Sequence, residues 1–407
     1  MKKILLIGAG GRSVAFVKSL MLRDDAQVWG IADPSNRNMK NLVKKTDLTD
    51  PFREFNNHTE ALSAGKGMVD GIIITTPNYL HVNHCVEALE LNVPILLEKS
   101  VATDIDECGK LLTSIREKKA RVAVGFVLRS TPYFMAIKRV VSSGTIGRII
   151  SIQADELPGM AVISIIRRNP WRRSQRLSGG ALLEKACHDL DILNWLCDSR
   201  PAMLNSIAGR NIFPTRAKPA ERCSECPPEK QCLYYREPQE EIDAKADHDD
   251  LLSDFIDTRD KDLCLYSEES DTYDVQSVQI QYENSIIVNF MLNFNTQGNK
   301  RGRNIHIIGT EGRLWGNLDD ALVQYQRIDS SEVVSISIET DGSGHHGGDN
   351  LNTFNLLKMI DDPNFEVEYG IYAGYLSAMT ALAADISAAK EKRVIFCYND
   401  LGEIELS

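Results

Sequence analysis

The sequence predicts an α/β protein in two parts: a doubly wound parallel sheet over residues 1–124, then an α+β domain over 125–407 with a large, mostly antiparallel open sheet. Three observations carry that expectation. Short apolar runs alternate with amphipathic stretches up to about Gly125, as in strands joined by crossover helices. A glycine-rich turn follows the first run. Beyond a cysteine-bearing insertion around 214–272, strand-like runs succeed one another with short turns, which suits antiparallel pairing.

The first strands are expected at 4–8, 28–32, 71–75, 95–98 and 121–126. Between the last two, Ile105, Cys108, Leu111, Leu112 and Ile115 recur at helical spacing and give one buried stripe. A helix is expected near 133–141, an extended run at 148–156, an irregular Arg-rich stretch after it, and a helix at 181–197. Strands follow at 275–282, 286–294, 304–309, 321–326 and 333–338, and a helix rich in Ala, Leu and Met at 371–390.

A chain of 407 residues, 43% hydrophobic, exceeds one average core, so two domains are natural. The net charge is −11, from 46 basic and 57 acidic residues, and no Lys/Arg block tracks phosphates, so nucleic acid is not an expected partner. The apolar run after Lys2-Lys3 is too short for a signal peptide and ends in glycines that open a helix. No segment approaches the ~20 apolar residues of a membrane span. Nine cysteines, an odd number, point to reduced thiols or a metal rather than a disulfide framework, and to the cytoplasm.

Gly8-Ala9-Gly10-Gly11-Arg12-Ser13 matches the Rossmann pattern G-x-G-x-x-G, with Ser13 in the place of the last glycine. Gly8 permits the tight turn, Gly10 lets the backbone approach a pyrophosphate at the helix N-terminus, and Ser13 is small enough to keep helix and sheet close. Asp33, ending the second strand, suits the ribose hydroxyls of adenosine and repels a 2′-phosphate, which favours NAD over NADP; Arg37 works the other way.

Further motifs follow in order. Thr75-Thr76-Pro77-Asn78 precedes His81, and Glu98-Lys99-Ser100 closes a strand. The stretch from Gly125 to Pro132 crosses into the second domain. Gly179-Gly180 opens the helix bearing Glu184, His188 and Asp191, and Gly344-His345-His346-Gly347-Gly348-Asp349 forms a late glycine-rich loop. This ordered set resembles the Gfo/Idh/MocA family, that of glucose-fructose oxidoreductase and inositol dehydrogenase.

The resemblance implies an NAD(P)-dependent oxidoreductase that moves hydride between a secondary alcohol of a sugar or cyclitol and nicotinamide. It places Lys99 and His188 at the catalytic positions, Glu184 where many members carry aspartate, and Glu98 beside the nicotinamide. Thr75, Thr76, Pro77, Asn78 and His81 then join the glycine turn around the cofactor, and His345 and Asp349 close over the substrate. Ser100 stands where proline is usual; with Ser13, Glu184 and His346 it departs from the family pattern and leaves the substrate open. Two other readings of the same fold are redox-assisted glycoside hydrolysis with tightly bound NAD, and a non-catalytic sensor. An open sheet needs covering, so a homodimer or homotetramer is expected.

The residues support the same site independently. Glu184, His188, Asp191 and Trp195 share one helix face and Leu183, Cys187, Leu190 and Leu193 another. A carboxylate four residues before His188 can hold one tautomer, ready to take a hydroxyl proton near neutral pH. Lys99, at the carboxyl end of a parallel strand, suits stabilisation of an alkoxide. A solvated Lys99 and a surface His188–Glu184 pair are the bland alternatives. Arg129, Arg167, Arg168 and Trp171 suit a substrate by guanidinium fork and indole face, and equally fit structural roles. Asp349 equally fits a helix N-cap.

Cys223, Cys226 and Cys232 have metal-ligand spacing. With Cys264 as fourth ligand and His248 in reserve they would make a closed structural zinc site; the alternatives are an iron–sulfur cluster, which is less favoured, and reduced thiols. Cys85, Cys108, Cys187, Cys197 and Cys397 lie in apolar patterns and read as core.

Overall fold

The computed structural model describes residues 1–214, 218–227, 232–235, 262–267, 269–294, 302–339 and 348–407. Its first sheet pairs β1 (Lys2–Ile7), β2 (Ala26–Ala32), β3 (Arg53–Phe55), β4 (Gly71–Ile74), β5 (Ile95–Leu97) and β6 (Val122–Val124) in the parallel order β3-β2-β1-β4-β5-β6. Residues Ile4 to Ile7, Ile72 to Ile74 and Ile95 to Leu97 are wholly buried, because helices cover both faces. These helices include α1 (Gly11–Met21), α2 (Asn36–Thr46), α3 (His58–Gly65), α4 (His81–Ala88) and α5 (Ile105–Glu117). In α5 the buried residues are Cys108, Leu111, Leu112 and Ile115, the stripe read from the spacing. Strand β3 was not expected: it is a three-residue edge strand with Arg53 and Glu54 exposed, so it carries no apolar pattern. The strand order reverses between β1 and β4, and the crevice beyond their carboxyl ends is where such sheets take ligands.

The second half of the chain contributes α6 (Pro132–Ser142), β7 (Ile149–Leu157), α7 (Met160–Arg168), α8 (Gln175–Ser178), α9 (Ala181–Cys197) and β8 (Pro201–Gly209). After these come β9 (Val275–Tyr282), β10 (Ile287–Asn293), β11 (Gly302–Gly309), β12 (Gly312–Asn317), β13 (Leu322–Arg327), β14 (Val334–Ser337), α10 (Asp349–Asp361), α11 (Ile371–Lys390), β15 (Val394–Tyr398) and β16 (Ile404–Leu406). Ten of the strands form one sheet in the order β14-β13-β12-β11-β7-β10-β9-β8-β15-β16, antiparallel throughout except for β7 beside β10. The stretch after β7, expected to be irregular, holds α7 and α8. Cys397 lies exposed on β15 rather than in the core, because Val394 and Phe396 take the inward side of that strand.

Helix α9 is buried around its whole circumference; Lys185 is its one residue that is not. The single apolar face expected from its sequence is therefore an understatement. It lies between α11 and the large sheet, so its polar side chains must find partners inside the protein. Helix α10 returns to the first sheet, where Leu356, Leu357 and Met359 pack with Val14, Phe16 and Val17 of α1.

Asp385 on α11 is 9% exposed and accepts from the amides of Gln276 (2.9 Å) and Gln175 (2.8 Å). Burial pushes its carboxyl up to about 6, with the two amides pulling the other way. A folded-state pKa above the unfolded value contributes stability that is present below about pH 4 and lost as pH rises through 6. Asp385→Asn is therefore expected to narrow the stability gap between acid and neutral conditions by about 2–3 kcal/mol. Urea midpoints of both proteins near pH 4 and at neutrality check this; parallel pH curves would refute it.

Candidate active site

The glycine turn has the geometry a dinucleotide requires. Gly8 sits at φ +103°, and a Cβ there would lie 2.9 Å from the Thr75 carbonyl carbon. Gly10 is the N-cap of α1 with no side-chain cap, which leaves the first N–H groups of the helix to an anion. Ser13 is fully buried, and its backbone N–H bonds Gly10 O at 3.1 Å. Asp33 accepts from the N–H of Ala9 and of Ser35, both at 2.8 Å, so the end of β2 is tied to the glycine turn. Arg37 is exposed on the first turn of α2. A cradle that any Cβ would fill, together with a carboxylate at the second strand end, fits NAD.

Arg12 joins three elements. Its guanidinium pairs with Glu98 at 2.9 Å, past the end of β5, and with Asp349 at 3.0 Å, at the start of α10. Asp349 is the first residue of α10 and Gly348 the N-cap, so the capping role expected for Asp349 falls one residue earlier. Glu98 packs so closely on Gly125 that a Cβ there would meet its Oε1 at 2.9 Å.

Residues between the first sheet and α9 converge on the opening turn of that helix. Lys99 Nζ donates to the main-chain oxygen of Glu184 at 2.8 Å, one helical turn before His188. Ser100 Oγ donates to Leu183 O at 2.8 Å, and the Lys99–Ser100 peptide is cis. Asn78, expected at the cofactor, gives its amide to Ser178 O (3.2 Å) and to Glu184 Oε2 (2.8 Å). His81 lies between two carbonyls, Ser100 O at 2.6 Å and Thr76 O at 2.7 Å, so it clamps the Thr75-Thr76-Pro77-Asn78 loop to Ser100. Thr76 Oγ1 meets His84 Nδ1 at 3.1 Å, and Pro77 precedes a short 3-10 turn.

His188 is 7% exposed and meets the edge of Phe126, just beyond β6, with ring centroids 5.8 Å apart. Lys99 and Phe126 thus leave adjacent strand ends and touch the same helix one turn apart. Burial lowers the Lys99 pKa, with Arg172 and Arg12 adding to the effect. The Glu184 carboxylate, expected to hold His188, instead receives Asn78 and Arg172. Arg172 was not foreseen; its guanidinium lies 4.5 Å over the half-buried Trp171 ring. The Trp-Arg pair beside an arginine-rich stretch was its only signal.

The other arginines are engaged within the protein. Arg129 makes a bidentate pair with Asp191, at 2.7 and 2.6 Å, and both side chains are buried. Arg168 bonds Leu263 O (3.1 Å), Ser164 Oγ (2.9 Å), Tyr234 O (2.8 Å) and the Cys223 sulfur (3.7 Å), which fastens the cysteine-bearing segment to α7. His345, the remaining substrate candidate, and the reserve ligand His248 lie outside the described residues.

The expected zinc centre is not formed: among the described residues, no three His, Cys, Asp or Glu side chains are arranged to hold a metal. Cys223, Cys226 and Cys264 are 7–9% exposed, in a segment whose Tyr234 and Tyr266 pack on Phe213. Burial pushes the Cys264 thiol up, the Tyr266 backbone pulls it down, and the thiols of Cys223, Cys232 and Cys226 add to the rise.

Comparison with known proteins identifies the family of both halves of the chain. Residues 2–126 match the family model described as an oxidoreductase family with an NAD-binding Rossmann fold, and residues 134–315 match the C-terminal domain of the same family. The chain is 23% identical to the Bacillus subtilis oxidoreductase YteT over 97% of both proteins. It is 27% identical to glucose-6-phosphate 3-dehydrogenase of Bacillus subtilis over 49% of this chain and 55% of that one. Levoglucosan dehydrogenase, solved with NADH and levoglucosan, is 19% identical and shares the fold with a TM-score of 0.74 over 97% of this chain and 99% of that one. An Agrobacterium radiobacter oxidoreductase solved with NAD+, L-tartaric acid and magnesium is 14% identical, with a TM-score of 0.72 over 97% and 98%. The glycine cradle, the Glu98-Lys99 strand end and the buried histidine helix stand within the two matched regions, and the chain belongs to the Gfo/Idh/MocA family of NAD-binding oxidoreductases.

Proposed function

We propose that this protein is an NAD-dependent dehydrogenase that transfers hydride between a secondary alcohol of a sugar or cyclitol and nicotinamide. The observation that carries the reading is the contact of Lys99 Nζ with the α9 main chain one turn from His188, at the carboxyl edge of the parallel sheet. The dinucleotide, held by the glycine turn, the α1 N-terminus and Asp33, supplies the hydride acceptor. His188 takes the hydroxyl proton, and Lys99 donates to the oxygen as charge develops on it. Burial lowers the Lys99 pKa and so makes its ammonium a readier donor. Glu184 holds Arg172 and Asn78, and through Arg172 positions the Trp171 face against the sugar ring. Relatives named glucose-6-phosphate 3-dehydrogenase and inositol 2-dehydrogenase support a sugar or cyclitol as substrate.

A panel of sugars and cyclitols tests this with NAD. Reduced cofactor is expected to accumulate in step with product. Release of a sugar without it would favour the hydrolytic reading, and binding without turnover the sensor. NAD is expected to exceed NADP in kcat/KM by about tenfold or more, since Asp33 opposes a 2′-phosphate. Asp33→Ser should shrink that ratio, and an unchanged ratio would remove Asp33 from the cofactor site. The outward face of the large sheet exposes Ile207 and Met291 in one register row across Ser277, and this face is our candidate for covering by a second copy. Light scattering at micromolar concentration checks it, and a monomer would refute it.

A further inference from the structure

Helix α7 carries a buried cation to which no carboxylate is hydrogen-bonded among the described residues. Arg167 is 0% exposed; its Nε donates to Leu265 O at 3.3 Å and its Nη1 to Thr272 O at 3.4 Å, while its Cζ lies 4.8 Å over the Phe213 ring. Asp274 is the foremost opposing charge, but its oxygens already accept from the N–H groups of Asn211, Ile212 and Phe213. Burial pulls Arg167 down to about 10, the mark of a charge incompletely offset.

Arg167 Nη2 has no partner among the described residues, and neither have three buried hydroxyls, of Ser267, Ser270 and Thr272, on the segment whose carbonyls bond this guanidinium. The three hydroxyl residues are 2%, 0% and 0% exposed. The carbonyls that grip Arg167 come from Leu265 and Thr272, which flank Ser267 and Ser270 in sequence, so the three hydroxyls belong to the stretch of chain held on the cation. Each buried, unpaired polar group forfeits its hydration without return, and native proteins seldom leave several together.

The chemistry of the absent partner follows from this inventory. A guanidinium can only donate and cannot shed its proton, and each hydroxyl has a proton to offer. The partner must accept several hydrogen bonds at once and bring negative charge into a place that solvent does not reach. Water meets the first requirement and not the second. Near-complete burial excludes an organic anion.

We propose that Arg167 Nη2 and the hydroxyls of Ser267, Ser270 and Thr272 form a binding site for a small inorganic anion, chloride. The ion completes the electrostatic partnership of Arg167 and ties the segment after Cys264 to α7. Arg168, the next residue, already holds Leu263, Tyr234 and Cys223 of the cysteine-bearing insertion, so an anion here fixes that insertion from the neighbouring side. The site is independent of hydride transfer, and its test does not read activity.

Crystals of the wild-type protein grown in bromide in place of chloride should show an anomalous peak within hydrogen-bonding distance of Arg167 Nη2 and at least two of the three hydroxyls. In solution, exchanging chloride for gluconate at constant ionic strength should lower Tm by about 2–4 °C, as expected for loss of a ligand that binds only the folded state. Ser270→Ala combined with Thr272→Val should abolish that chloride dependence while the protein stays folded. An ordered water with no anomalous signal at this position would overturn the proposal. A wild-type Tm indifferent to the halide would do the same.

Discussion

Replacing His188 by alanine lowers kcat by about 10²–10⁴-fold, the usual worth of a positioned general base, while the affinity for NAD stays nearly unchanged. The side chain lies against Phe126 and one turn beyond the carbonyl that Lys99 grips, on a different element from the glycine turn and Asp33 proposed for the dinucleotide. Lys99→Met keeps the aliphatic stem and removes the ammonium, and it should cost about 10²–10³-fold in kcat. Each variant should also alter the pH profile of kcat/KM, because each removes a titrating group from the reaction. Titration of NAD fluorescence quenching separates lost chemistry from lost binding. Undiminished turnover in either variant would end the assignment.

The second large effect concerns stability. Arg129 and Asp191 face each other with side chains 7% and 1% exposed, and burial pushes the Asp191 carboxyl up to about 6 against the pull of Arg129. Arg129→Ala leaves a buried carboxylate without its counter-charge and should destabilise the fold by about 3–5 kcal/mol. Joint replacement by Arg129→Met and Asp191→Leu should recover much of that loss, because the cost lies in the orphaned charge rather than in the missing pair. Urea denaturation of the two singles and the double measures the coupling. Were Arg129 a substrate ligand instead, Arg129→Ala would raise KM and leave the urea midpoint in place.

Much of the architecture was legible because it rests on periodicity. The α5 stripe, the all-apolar strands of the first sheet and the alternation in β9 and β10 each follow from one buried face or two, and the residues state which. Elements without such a signal were missed. Strand β3 is short and half exposed, and in α7 the arginines that obscure the helix are themselves buried, with their charges bonded to carbonyls of a distant segment. Cysteine spacing was read as a metal site, yet spacing fixes only distance along the chain; among the described residues no three such side chains are arranged to hold a metal, and the Cys223 sulfur accepts from Arg168.

The sequence by itself determined the dinucleotide turn, since Gly8 and Asp33 act through local backbone geometry at two strand ends. It also determined that one lysine and one histidine stand in order on a strand end and a helix. Which partners the charged side chains take was decided only by tertiary structure. Glu184 turned to Arg172 and Asn78 rather than to His188, and Arg129 to Asp191, because α9 is enclosed on every side and a buried charge must pair with whatever the packing brings within reach.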